Sequence, residues 1–116
     1  MQSLVSKFSH AIRGITYALG NDRGYRVQTA LIGAVVIGIF FYFDPLEIWE
    51  VLFVILAYTI MLITELQNSA LEKALDCIHP DRNEDIGRSK DMAAGAVLTA
   101  AGFLLFVIAM LVYGRI

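Results

Sequence analysis

The chain has 116 residues, a net charge of −2 and a hydrophobic fraction of 58%, well above the roughly 45–50% of ordinary soluble domains. That length suits one domain, and the composition excludes a water-soluble globule with its apolar residues hidden. Acids are mixed among the bases and no nucleic-acid-binding motif is present, so nucleic acid is excluded as a partner.

Residues 3–19 come first. Leu4, Phe8, Ile12, Ile15 and Leu19 recur at helical spacing, with Lys7, His10 and Arg13 elsewhere around the helix. That pattern fits an amphipathic helix lying in the interface against bilayer lipids. It lacks the basic start, compact apolar core and small-residue site of a cleavable signal peptide. A break is expected at Gly20-Asn21.

The first span is expected at about 25–43. Thr29–Phe43 is uncharged, and Tyr25 to Gln28 extend it toward the ~20 residues that cross hydrocarbon. Asp44-Pro45 ends that helix. The second span covers about 46–68, and its helix, which starts near Pro45, continues to Cys77. Pro80 stops it, and His79–Gly87 reads as a polar loop. The third span, about 90–113, contains the uncharged Met92–Tyr113, in a helix starting near Ser89. Small residues at Ala93–Ala96 and Thr99–Gly102 make it a packing surface, within the chain or between subunits. The predicted fold is all-α and membrane-integral, an N-terminal interfacial helix plus three transmembrane helices. The lone Cys77 cannot form an internal disulfide and receives no role.

Eight of the nine Lys and Arg residues precede the first span or lie between the second and third. The connection between spans one and two carries only the acids Asp44, Glu47 and Glu50. By the positive-inside rule the N-terminus and the 78–89 connection are cytoplasmic, and the acidic hairpin and C-terminus are outside. Trp49 and Tyr113 then read as outer-face aromatic anchors.

The polar residues converge at the inner face. Glu65, Asn68, Glu72 and Asp76 are spaced 3, 4 and 4, which places them on one stripe of the second helix. Glu65 falls near the cytoplasmic edge of the hydrocarbon and Glu72 roughly 10 Å further out. Asp22 opens the first span at this level, and Lys90 and Asp91 are expected to open the third. Ionisable residues in or near a span are costly and usually functional. Carboxylates on separate helices can hold Mg²⁺, which prefers oxygen ligands and shares its shell with phosphates. A lysine at a helix N-terminus attracts anions. A partly desolvated carboxylate can act as a general base on a lipid hydroxyl. These parts suit phosphoryl transfer from a nucleotide to a lipid alcohol, without a P-loop. Taken singly, Lys90 is most simply a membrane anchor, Asp91 a helix-start acid, and Asn68 equally a helix–helix hydrogen bond. A small oligomeric transporter or proton carrier using Glu65, and a non-catalytic assembly subunit, are the competing readings.

The blocks "ELQNSALEKALD" and "GRSKDMAAGAVL" resemble the small bacterial integral-membrane diacylglycerol kinase and undecaprenol kinase family, marked by E-x-x-N-[ST]-A-[IL]-E-x-x-x-D and then K-D-x-[AG]-[AS]-[AG]-A-V-L. The resemblance implies a homotrimer in the bacterial inner membrane, with sites between protomers, moving the γ-phosphate of ATP to a lipid hydroxyl. It implies Glu65 as general base, Glu72 as a metal ligand, Lys90 and Asp91 as nucleotide-phosphate contacts, and Asn68 as a supporting polar residue. Asp22 aligns with a second metal-binding acid that is normally glutamate, one methylene longer. Asp81–Asn83 matches the adenine-side loop, with Asn83 where histidine is usual, and His10 stands where some members have a nucleotide-contacting tyrosine. "NDRGYRVQ" is closer to the E-R-N-x-R-[IV]-[HQ] element of the undecaprenol branch, which leans the acceptor toward a polyprenol over diacylglycerol.

Overall fold

Four helices run through the computed structural model, which describes residues 3–81 and 83–115. They are α1 (Leu4–Asn21), α2 (Arg23–Tyr42), α3 (Ile48–Ile78) and α4 (Glu84–Gly114). The last three are each long and apolar enough to cross a membrane. The all-α architecture of an N-terminal helix plus three spans is therefore as expected, and the protein is a membrane protein.

Cap chemistry moves several boundaries. α1 continues through Gly20 and Asn21, where a break was expected. The turn is instead the single residue Asp22, whose N–H donates to Ala18 O at 2.9 Å to close α1. Its Oδ1 accepts the Tyr25 N–H at 2.9 Å and so caps α2, satisfying one of the donors a helix start leaves open. Arg26 reaches back across this corner to the carbonyls of Leu19 and Gly20, a cation on the C-terminal carbonyls of α1.

α3 starts at Ile48 rather than near Pro45, because Glu47 and Glu50 form a reciprocal capping box. Its other end at Ile78 agrees with the stop ascribed to Pro80. The expected loop His79–Gly87 is a correction: α4 begins at Glu84, not near Ser89 or at 90. Asn83 Oδ1 accepts the N–H groups of Asp85 and Ile86 at 2.9 and 3.2 Å, and Glu84 and Asp85 sit in the first turn where the dipole favours acids. Lys90 and Asp91 consequently lie in the second turn of α4. Their proposed anion attraction at a helix N-terminus is lost with that shift.

α3 is the central element. It packs most extensively on α4 and less on α2. Glu50, Val54, Ala57, Met61 and Glu65 form its buried stripe. Spacings of 4, 3, 4 and 4 keep them on one face. Val36 and Ile39 of α2 and Leu104, Val107 and Leu111 of α4 pack against the middle of this stripe. Tyr58 ties α3 to α2 by donating to Thr29 O at 3.0 Å. Gly33 makes room for it: a Cβ there would stand 3.0 Å from the Tyr58 hydroxyl.

α3 and α4 have 31 residues each and α2 has 20, or about 46 and 30 Å of helix at 1.5 Å per residue. The hydrocarbon core is about 30 Å thick. At the end away from α1, Arg115 bonds both Glu50 and Pro45 O, which levels α3 and α4 with the end of α2. Their surplus length therefore projects at the α1 end. α1 leans there on α2 and α3, with Ala18 buried. Exposure of its apolar face falls from 83% at Leu4 to 39% at Ile15, so its first turns are free of the bundle and suited to the interface.

Candidate functional site

The polar residues of the α1 end surround the corner at Asp22. A cleft of about 310 Å³ is lined there by Asn21, Asp22 and Arg23 of the corner, Tyr17 of α1, and Ser69, Glu72, Lys73 and Asp76 of α3. Two of its acids, Asp22 and Glu72, thus come from different elements, as expected. The Ser69 hydroxyl and then the Tyr25 N–H hold the Asp22 carboxyl below its usual range, with burial opposing them. Both act by hydrogen-bonding the charged form.

Glu65 lies one step deeper. It is 7% exposed, at the end of the buried stripe of α3. Asp22 and Glu72 are the carboxylates whose charges act on it. The pairs Glu50–Arg115 and Asp76–Lys90 set the antiparallel register of α3 and α4, and that register carries Glu65 to the level of Ala100 and Asn68 to that of Val97. Ala100, at the level of Glu65, is itself buried. The Oδ1 of Asn68 is buried with no hydrogen-bond partner. A buried acceptor left open costs stability.

Lys90 Nζ donates to Asp76 Oδ1 across α3 and α4. This joins the expected nucleotide-side lysine to the rim of the cleft through the last acid of the stripe. Asp91, the next residue of α4, is exposed, and Asp81 and Asn83 lie in the connection before that helix. Asn83 spends its side-chain oxygen on capping α4. Arg82, inside the Asp81–Asn83 stretch matched to an adenine-side loop, lies outside the described residues. His10 is on α1, its Nε2 3.5 Å from the Ser6 hydroxyl, and it lines a separate apolar groove.

That groove, about 420 Å³, runs between α1 and α3 past Ala11, Gly14, Ile15, Ala18, Leu66 and Ala70, and it shares Tyr17, Asp22, Ser69 and Lys73 with the polar cleft. A greasy channel opening onto an acidic cleft at the membrane surface suits a substrate with an apolar body and a polar head. Reading the sequence missed Tyr17, Ser69 and Lys73. Ser69 follows Glu65 by one helical turn, so the spacing that marks the polar stripe reaches it as well. Tyr17 and Lys73 meet only through the packing of α1 on α3.

A family model described as prokaryotic diacylglycerol kinase matches residues 9–112. The chain belongs to the prokaryotic diacylglycerol kinase family. It is thereby an enzyme of the lipid-kinase class, in agreement with the resemblance drawn from its two blocks. Among its relatives, the diacylglycerol kinase of Haemophilus influenzae is 27% identical over 97 residues, covering 84% of this chain and 80% of the relative. The diacylglycerol kinase of Synechocystis sp. is 33% identical over 102 residues, covering 85% of this chain and 56% of that longer relative.

Kinases of this family generally need a divalent metal with ATP. Among the described residues no three His, Cys, Asp or Glu side chains gather to hold a metal alone. Asp22 and Glu72 nonetheless face one cleft with hard oxygen donors. That set fits a cation such as Mg²⁺, which takes one or two carboxylates and completes its shell with water and phosphates.

Proposed function

We propose that the protein is an ATP- and Mg²⁺-dependent kinase of a membrane lipid alcohol, diacylglycerol or undecaprenol, acting at the cytoplasmic face of the bacterial inner membrane. The observation that carries this reading is the shared wall of the apolar groove and the acidic cleft, with the buried Glu65 one helical turn before Ser69 of that wall. In this reading the acceptor lies along the groove with its hydroxyl toward Glu65. The hydroxyl oxygen attacks the γ-phosphorus of ATP and gives its proton to the Glu65 carboxylate. The new O–P bond forms as the bond to the bridging β–γ oxygen breaks, and ADP leaves with that electron pair.

Asp22 and Glu72 hold the divalent cation, which when bound neutralises charge on the phosphates. Lys90, fixed by Asp76, offers its remaining donors to the same phosphates, with Asp91, Asp81 and Asn83 around the nucleotide, whereas His10 lines the groove assigned to the lipid rather than the nucleotide side. Asn68 contributes its open amide oxygen to the site. The orientation follows the charge asymmetry of the sequence, with the α1 end inside and Arg115 outside. The spans bury only 17 to 28% of their most apolar windows, and Gly95 and Gly102 of α4 have nothing within 4 Å of a built Cβ. Both features leave helix faces open to lipid or to neighbouring subunits, and the homotrimer of this reading rests on the family resemblance.

The test is transfer of labelled γ-phosphate from ATP to chloroform-extractable lipid by the purified protein, with diacylglycerol and undecaprenol compared in one detergent. Mg²⁺-dependent labelling of at least one acceptor is expected. Folded protein that labels neither acceptor at any Mg²⁺ concentration overturns the reading.

A further inference from the structure

Tyr17, Asp22, Ser69 and Lys73 line both cavities. Among the described residues Lys73 is the one cation of that shared wall, since Arg23 borders the cleft but not the groove. Its ammonium sits 5.1 Å from the centroid of the Tyr17 ring. The cleft also carries Asp22, Glu72 and Asp76, yet among the described residues Lys73 joins none of them in a salt bridge, and Asp76 is taken by Lys90. A cation parked on an aromatic face at an exposed site is held only modestly. It can exchange that contact for a stronger anionic partner.

We propose that Lys73, held by Tyr17 at the mouth of the groove, is a binding residue for the phosphate monoester of the lipid product. This rests on the lipid-kinase reading above. A lipid alcohol in the groove is neutral, so Lys73 has little to grip before transfer. After transfer the head carries about −1.5 to −2 charges at the boundary that Lys73 borders, and the tail remains in the apolar channel. Lys73 therefore favours the phosphorylated lipid over its precursor and governs product release. The occupant is a phosphate with a hydrocarbon body, because the cation and the channel adjoin.

The experiment measures binding of short-chain dioctanoyl phosphatidate to the full-length protein in detergent micelles by ³¹P NMR titration, alongside phosphorylation of dioctanoylglycerol. In Lys73→Gln the affinity for phosphatidate is expected to fall about tenfold, a 1.4 kcal/mol loss, as removal of a charged hydrogen bond implies. KM for dioctanoylglycerol is expected to shift far less. Lys73→Arg should restore most of the affinity, and added salt should weaken the wild type but not Lys73→Gln. A merely structural lysine would show none of this selectivity. Equal phosphatidate affinity and salt response in folded wild type and Lys73→Gln overturns the proposal, as does a wild type that binds no phosphatidate. Inorganic phosphate binding as tightly as phosphatidate overturns the part assigned to the groove. A wild type that binds phosphatidate through Lys73 but phosphorylates no lipid would instead count against the kinase reading alone.

Discussion

The guanidinium of Arg115 grips Glu50 with two hydrogen bonds, Nε to Oε2 at 3.0 Å and Nη2 to Oε1 at 2.5 Å, across 65 residues of chain. Glu50 is 4% exposed and also closes the capping box of α3 through the Glu47 N–H. One carboxylate thus starts α3 and levels α4 against it. Removing one partner of a buried pair leaves an uncompensated charge. Arg115→Ala is expected to lower the thermal unfolding midpoint in detergent more than Lys90→Ala does. Double replacement of Glu50 and Arg115 by Gln and Met should recover part of the loss. Equal midpoints for Arg115→Ala and the wild type would refute the clasp.

Glu65 stands at the end of the same buried stripe. Gln matches it in shape but cannot accept a proton, so Glu65→Gln should retain the helical circular-dichroism signal while losing at least about 10²-fold in kcat, the lower range for general-base removal. Lipid phosphorylation at more than a tenth of the wild-type rate in Glu65→Gln would remove the base assignment.

Asp22 has two separable duties, capping α2 and contributing to the cation site. Asn caps as well as Asp, so Asp22→Asn should keep the unfolding midpoint but raise the Mg²⁺ concentration needed for half-maximal activity several-fold. Asp22→Ala should show that defect and also lose about 1 kcal/mol of stability. An unchanged Mg²⁺ requirement in both variants would leave Asp22 as a cap alone.

The pH dependence of the corner follows from the same residue. The Ser69 hydroxyl and Tyr25 N–H lower the folded pKa of Asp22 below the usual carboxylate range. A carboxyl depressed in the folded state adds stability that is full above the unfolded pKa and is lost as pH falls through the folded one. Wild type should therefore lose more stability than Asp22→Asn between about pH 5 and pH 2, read as unfolding midpoints at each pH. Parallel curves would contradict the Ser69–Asp22 contact.

The Lys90–Asp76 bridge is half open to solvent, with side chains 35% and 66% exposed. Such pairs are worth under about 1 kcal/mol. Asp76→Asn should accordingly change stability little, yet raise the KM for ATP by freeing Lys90 from its position. Lys90→Ala is expected to lower kcat/KM for ATP by a larger factor. A large stability loss with unchanged ATP kinetics in Asp76→Asn would make the bridge structural only.

The sequence alone determined that this chain crosses a membrane three times and that Glu65, Asn68, Glu72 and Asp76 share a face. Apolar run length and helical spacing depend only on local order, and both read directly from residue positions. Its block pattern also pointed to the right family. It misplaced the starts of α3 and α4, because Glu47 and Asn83 act through caps that compete with neighbouring turn residues.

Tertiary structure decided which faces meet. Asp22 joins Glu72 in one cleft because α1 folds back at a single-residue corner and α2 lies against α3. Tyr17 reaches Lys73, and Arg115 reaches Glu50, by packing between elements far apart in the chain, and no periodicity within one helix encodes that. A helix's own pattern says which side is polar; its neighbours decide what that side confronts.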